Sequence, residues 1–183
     1  MKTKCSAVIV ALALQLVAAD CNADSTNTTK TLEMGPFTYF DQNCARCHGP
    51  MGSFYGENFG ANLTDEQLRR VVKEMADGPG NAPIDGLALE AQIGFHRALV
   101  KKEPFIVVLE KHGSDLSGEI TPGSQLETDT PQPTKAKITE NQWVLTLPSS
   151  TLDSSGGLKL KAHLNGKSIE LTWPKETFSH SRP

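Results

Sequence analysis

Hydrophobic and polar positions alternate with two different periods along this chain, and the change of period divides it. From Thr64 the pattern is helical: Leu68, Val71, Val72 and Met75 fall at i, i+3, i+4 and i+7, and Thr64 with Gln67 forms a capping box. The run stops at "DGPGNAP", where Gly78, Pro79, Gly80 and Pro83 forbid its continuation. A second helix is predicted from Ala88 to about Lys101, with Leu89, Ile93, His96 and Val100 on one stripe and Phe95 and Leu99 beside it. From Glu103 the helical period vanishes. "PFIVVLE" is a β-branched run, and "PGS", "TPQP" and "PSSTLDSSGG" punctuate short segments. In "LKLKAHLNGKSIELTW", Leu158, Leu160, Ala162 and Leu164 alternate with Lys159, Lys161 and His163, Asn165-Gly166 turns the chain, and Ile169, Leu171 and Trp173 alternate again. "NQWVLTL" supplies another strand with Trp143, Leu145 and Leu147 on one side. Residues 103–176 therefore read as a small antiparallel β domain, a sandwich or open barrel, with a polar, frayed tail from Phe178 to Pro183.

The N-terminus carries an address. Met1 to Lys4 holds two positive charges, Ala7 to Val17 is apolar apart from Gln15, and Val17-Ala18-Ala19 offers small residues at the positions a signal peptidase reads. The apolar run is shorter than the roughly 20 residues that span a bilayer, and a polar stretch follows at once. Residues 1–19 are expected to be a secretory signal and 20–31 a polar linker, with an uncleaved anchor as the alternative. Cys21 follows the apolar run closely enough to suggest lipidation, but Asp20 stands where a lipidation site wants a small neutral residue.

Composition narrows the rest. The 183 residues, 38% hydrophobic, can bury a core, and a formal net charge of -3 with no Lys/Arg cluster gives no footprint for nucleic acid. With the signal removed, the thiols are Cys21, Cys44 and Cys47, too few for a disulfide framework. A zinc site would need further ligands at matching spacing, and His96 and His112 do not form a His-x3-5-His pair. A thioredoxin-like redox pair would need a βαβ context that the flanking pattern lacks. The reading that uses all three residues of "CARCH" is covalent haem attachment: the sulfurs of Cys44 and Cys47 add to the two porphyrin vinyls, and His48 is the proximal iron ligand. On a helical turn, Cys44 and Cys47 face one side, with His48 four after Cys44 on the same side.

The stretch "GPFTYFDQNCARCHGPMG", with Phe40 four before Cys44 and Gly49 after the ligand, resembles the opening of a class I (monohaem) cytochrome c. The resemblance spans residues 32–102 and implies an all-α haem domain. In it a first helix runs into the attachment site, Phe37 and Phe40 pack inward, the Gly-rich loop "GPMGSFYGENFGAN" follows, and two further helices enclose the haem. The fold class expected for the whole chain is thus α + β in two domains, an N-terminal all-α cytochrome c-like haem domain and, at 103–183, an all-β antiparallel sandwich-like domain. One position departs from the family. Where a methionine before a proline commonly supplies the sixth ligand, "GPGNAP" has Ala82. Met75 through its thioether, His96 through its imidazole, or an open position held by water are the alternatives. Met51 lies too near His48 to cross the porphyrin plane, and Met34 precedes the attachment helix.

The function expected is that of an exported, periplasmic or extracellular monohaem c-type cytochrome: a one-electron carrier rather than an enzyme, handing electrons to a redox protein partner, with no nucleic-acid partner and no membrane span in the mature chain. A haem-based small-ligand sensor or enzyme with an open sixth iron position is the competing class. A module whose β domain docks the haem to a larger redox enzyme or to the cell surface is a third.

Overall fold

A computed structural model describes residues 32–130, 134–152 and 156–179. The expected signal at 1–19, Cys21 and the linker at 20–31 lie outside these residues. Helix α1 (Pro36–Asn43) opens with Pro36 at its first position, where a missing N–H costs nothing, and buries Phe37 and Phe40. Its first free N–H groups are taken by a side chain from far along the sequence: Phe37 and Thr38 donate to the Glu119 carboxylate at 2.8 and 3.1 Å. The Thr38 hydroxyl and the Gln142 amide also donate to Glu119, which is fully buried. A side chain at Gly35 would run into this carboxylate, so the approach requires glycine there.

After a one-turn helix α2 (Ala45–His48), a 3-10 turn (Pro50–Gly52) and a loop, α3 (Asp65–Asp77) starts at the Thr64/Gln67 capping box, with Asp65 and Glu66 favourably placed in its first turn. Its buried residues are Leu68, Val72 and Ala76. That stripe leaves Val71 half-buried and Met75 45% exposed, one position round the helix. Helix α4 (Gly86–Lys101) is buried nearly all round. Leu89 and Ile93 pack against Leu68, Val72 and Ala76 of α3, while Ala91, Phe95 and Ala98 pack against Phe37 and Phe40 of α1. Lys102 in the left-handed region (φ 53°) ends it.

The strands are β1 (Ile106–His112), β2 (Asp115–Ile120), β3 (Gln125–Thr128), β4 (Lys137–Thr139), β5 (Gln142–Thr146), β6 (Leu158–Leu164), β7 (Lys167–Trp173) and β8 (Phe178–Ser179), with a one-turn helix α5 (Ser149–Leu152) before β6. They form two antiparallel sheets, β4-β5-β2-β1-β8 and β3-β6-β7. Between the sheets lie Ile106, Val108, Leu116, Ile120, Trp143, Leu145, Leu158, Leu160, Leu171 and Trp173. The β6–β7 hairpin pairs Leu164 with Lys167 across Asn165 and Gly166, both at positive φ as a two-residue turn of this twist demands.

The expected fold class needs correction on its helical side. Among the described residues no large all-α domain stands apart: the helices run to 16 residues at most, and their core is shared with the sheet. Phe105 and Val107 join Phe37, Phe40, Ala91, Phe95 and Ala98 in one cluster, with Leu109 and Phe178 packed against it. The five-stranded sheet is therefore covered on both faces, the second sheet on one and helices α1 and α4 on the other. Phe178 and Ser179, where the frayed tail is expected to begin, form β8 and pair with Val107 and Ile106, while the rest of that tail, 180–183, lies outside the described residues.

Replacing Glu119 by Ala strands two helix N–H groups in a dry interior and should cost roughly 3 kcal/mol of stability. Helical circular dichroism and the fluorescence of Trp143 and Trp173 should then move together to lower denaturant in one coincident transition. Two separated transitions would show that the shared core does not couple the helices to the strands.

Candidate functional site

Cys44 sits at the joint between α1 and α2 (φ −117°, ψ −35°). Its N–H donates to the Phe40 carbonyl at 2.8 Å, and its own carbonyl accepts from Cys47 and His48 at 3.1 and 3.0 Å. The turn is thus a continuation of α1, and Glu119 positions it by fixing where α1 begins. Gly49 at φ 74° reverses the chain, and Phe54 returns to donate its N–H to the His48 carbonyl at 2.9 Å. Cys44 is half-buried and Cys47 exposed, both as free thiols.

Cys44, Cys47 and His48 line one cleft, with Met75 of α3 also in its wall. The walls are otherwise mostly apolar, including Tyr55, Phe59, Val71, Val72 and Ala76, and they enclose about 850 Å³ of empty space counted out to the open mouth. Most of that space is open to solvent and the cavity proper is about 180 Å³, so it is the apolar character of the walls, not their volume, that suits a flat, apolar ligand. Burial, and secondarily Cys47, raises the pKa of the Cys44 thiol. The Tyr39 phenol, also at the cleft, is pushed up to about 12 by burial first and then by Cys44 and Asp77. Among the described residues no group of three or more His, Cys, Asp or Glu side chains is placed to hold a bare metal ion. The donor set fits a haem better: two thiols and one imidazole on a single short turn suit a cofactor that brings its own four equatorial nitrogens.

The sixth-ligand candidates have different surroundings. Met75 lies off the buried stripe of α3, on the cleft side, and its carbonyl accepts from Gly80 at 2.8 Å where the loop leaves the helix. His96 is buried (5% exposed) on α4, ringed by Phe40, Phe59 and Phe95. Both its nitrogens are engaged: Nδ1 donates to the Gln92 carbonyl at 2.7 Å, and Nε2 lies 3.2 Å from the Tyr55 hydroxyl. Burial lowers its pKa to about 4, against the Gln92 hydrogen bond and with a smaller push from His48, so the ring is neutral and Nε2 accepts from Tyr55. Ala82, where the family resemblance places a methionine, contributes a backbone carbonyl to the Tyr39 hydroxyl. Met51 packs at the edge of the α1–α4 core, and Met34 is exposed.

His96 lines the same cleft as Met75, and so do Tyr39, Tyr55, Phe59 and Gln92, none of which the sequence assigns to the site. The aromatics inside the Gly-rich loop were the available signal. That loop is pinned by Arg97, which donates to Asp65 at 2.6 Å and to the carbonyls of Gly60 and Leu63 at 3.1 and 2.5 Å. No helix among the described residues is long and apolar enough to cross a membrane. Compared with protein-family models, with curated proteins and with solved structures, the chain finds no match.

His96 makes stability depend on pH. Its folded pKa, about 4, lies below the unfolded value of about 6.5, so below pH 6.5 the unfolded chain takes up a proton that the folded one refuses. The contribution is complete above about pH 6.5 and is lost as pH falls toward 4, a change of about 3 kcal/mol in all. Denaturant midpoints measured across that window should fall in the wild-type chain, with the slope much reduced in His96→Gln.

Proposed function

We propose that this protein is an exported monohaem c-type cytochrome, carrying one haem bound through Cys44 and Cys47 with His48 on the iron, and that it transfers single electrons to a redox protein partner. The observation that carries this reading is the placement of both thiols and the imidazole of Cys44-x-x-Cys47-His48 along one apolar-walled cleft. Bound there, the haem supplies a ferrous–ferric couple. The chain's own residues hold it and tune it. The turn that ends at Gly49 presents Cys44, Cys47 and His48, which would hold the haem, and Val71, Val72, Ala76 and Phe59 would give it an apolar surround. Export rests on the signal-like residues 1–19, and the β sandwich is assigned a structural or docking role.

Met75 is the proposed sixth ligand. Both Met75 and His96 line the cleft, but the Nε2 lone pair of His96 is already committed to Tyr55. The competing reading, an open sixth position that binds a small ligand for sensing or catalysis, draws on Ala82 standing where a ligating methionine is expected and on the 45% exposure of Met75.

Intact-mass spectrometry on protein exported in cells that carry the haem-attachment machinery should find one added haem, and Cys47→Ala should leave at most one thioether. A chain mass without added haem would sink the proposal. In the ferric optical spectrum, Met75→Ala should abolish the sulfur-to-iron charge-transfer band while His96→Ala keeps it. A wild-type ferrous protein that is high-spin and binds carbon monoxide would instead establish the open-site reading.

A further inference from the structure

Tyr55 is partly buried and held by three aromatic neighbours. Its ring stacks on Phe59 (centroids 3.7 Å apart, planes 8° from parallel), meets Phe40 edge-on at 6.3 Å, and lies 4.9 Å from the His48 ring at 44°. A side chain at Gly52 would occupy the ring's own space, so the backbone at that position is kept bare for it. Its hydroxyl is directed too. The Gln92 carbonyl can only accept, so His96 Nδ1 carries the proton, Nε2 is the acceptor, and the Tyr55 O–H donates to it. Phenylalanine would fill this apolar surround as well, and at less cost than a hydroxyl paired with a buried imidazole. What the polar pair adds is a fixed axis for the ring that touches His48, with Phe59 holding its plane.

We propose that Tyr55, locked by His96, is a positioning residue that sets the orientation of the His48 imidazole plane. This rests on His48 being the iron ligand. The imidazole meets Tyr55 on one side, so rotation about the axis through the iron would be limited by a ring whose tip is anchored at His96 and whose plane is held by its stack on Phe59. The consequence is electronic: the plane of the axial imidazole sets how the iron's d orbitals split, and the protein chooses that plane through residues that never touch the metal.

The test uses the full-length haem-bearing protein as wild type, Tyr55→Phe, Tyr55→Leu and, as a control, Leu68→Ala, which opens a cavity in the α3–α4 core without touching Tyr55. Ferric electron paramagnetic resonance reads the imidazole plane through the g-values, and nitrogen-15 spectra of histidine-labelled protein before haem attachment read the His96 tautomer. Expected are a proton on His96 Nδ1, a clear g-shift in Tyr55→Leu, a smaller one in Tyr55→Phe, and none in Leu68→Ala despite its lower stability. A proton on His96 Nε2, or g-values indifferent to Tyr55, overturns the proposal; should Tyr55→Leu take up no haem, unchanged g-values in Tyr55→Phe do so. A wild-type chain that takes no haem overturns the underlying haem reading, and this one with it.

Discussion

The interaction on which the structure turns is the burial of the Glu119 carboxylate against the first turn of α1. A helix start leaves several N–H groups without partners and a partial positive charge, and a carboxylate out of water needs donors and positive potential. Each solves the other's problem, and neither solution is local. Because α1 runs directly into Cys44, the strand that bears Glu119 decides where the turn carrying Cys44, Cys47 and His48 lies. Trp143 donates its indole N–H to the Glu119 carbonyl, which ties the brace to the middle of the five-stranded sheet.

Local signals were read well where they involve few residues. The capping box at Thr64 and Gln67, the two-residue turn at Asn165-Gly166 and the alternation of Trp143, Leu145 and Leu147 are all present in the structure. The Cys-x-x-Cys-His spacing is equally plain, and its three residues lie along one cleft. What escaped was decided by packing at long range. "PFIVVLE" is continuously apolar because β1 is covered on both faces, yet the run by itself does not say that helices supply the second cover. The stripe on α3 was drawn through Val71 and Met75, but contact with α4 selects Leu68, Val72 and Ala76 and turns the other two toward the cleft. Nothing near Glu119 in the sequence points to a partner 82 residues away.

The cleft shows a division of labour between rigid and adaptable parts. Backbone hydrogen bonds and Gly49 fix the turn that bears the thiols and imidazole, while the far wall is one face of α3, set by ordinary helix packing. The loop between them owes its shape to Arg97, a cation from α4 that reaches across to two carbonyls and Asp65. Three elements distant in sequence therefore meet around one site, and damage to any of them reaches it through packing rather than through lost ligands.

The distance in sequence between α1 and Glu119 also has a consequence in time. A chain emerging from its N-terminus presents Cys44, Cys47 and His48 well before the strand that braces their helix exists, since the brace lies 82 residues beyond Phe37. An isolated eight-residue helix is too short to persist alone in water. The segment that bears Cys44, Cys47 and His48 is thus made early and fixed late, and it takes its one geometry only when the closing of the sheet brings Glu119 to the start of α1.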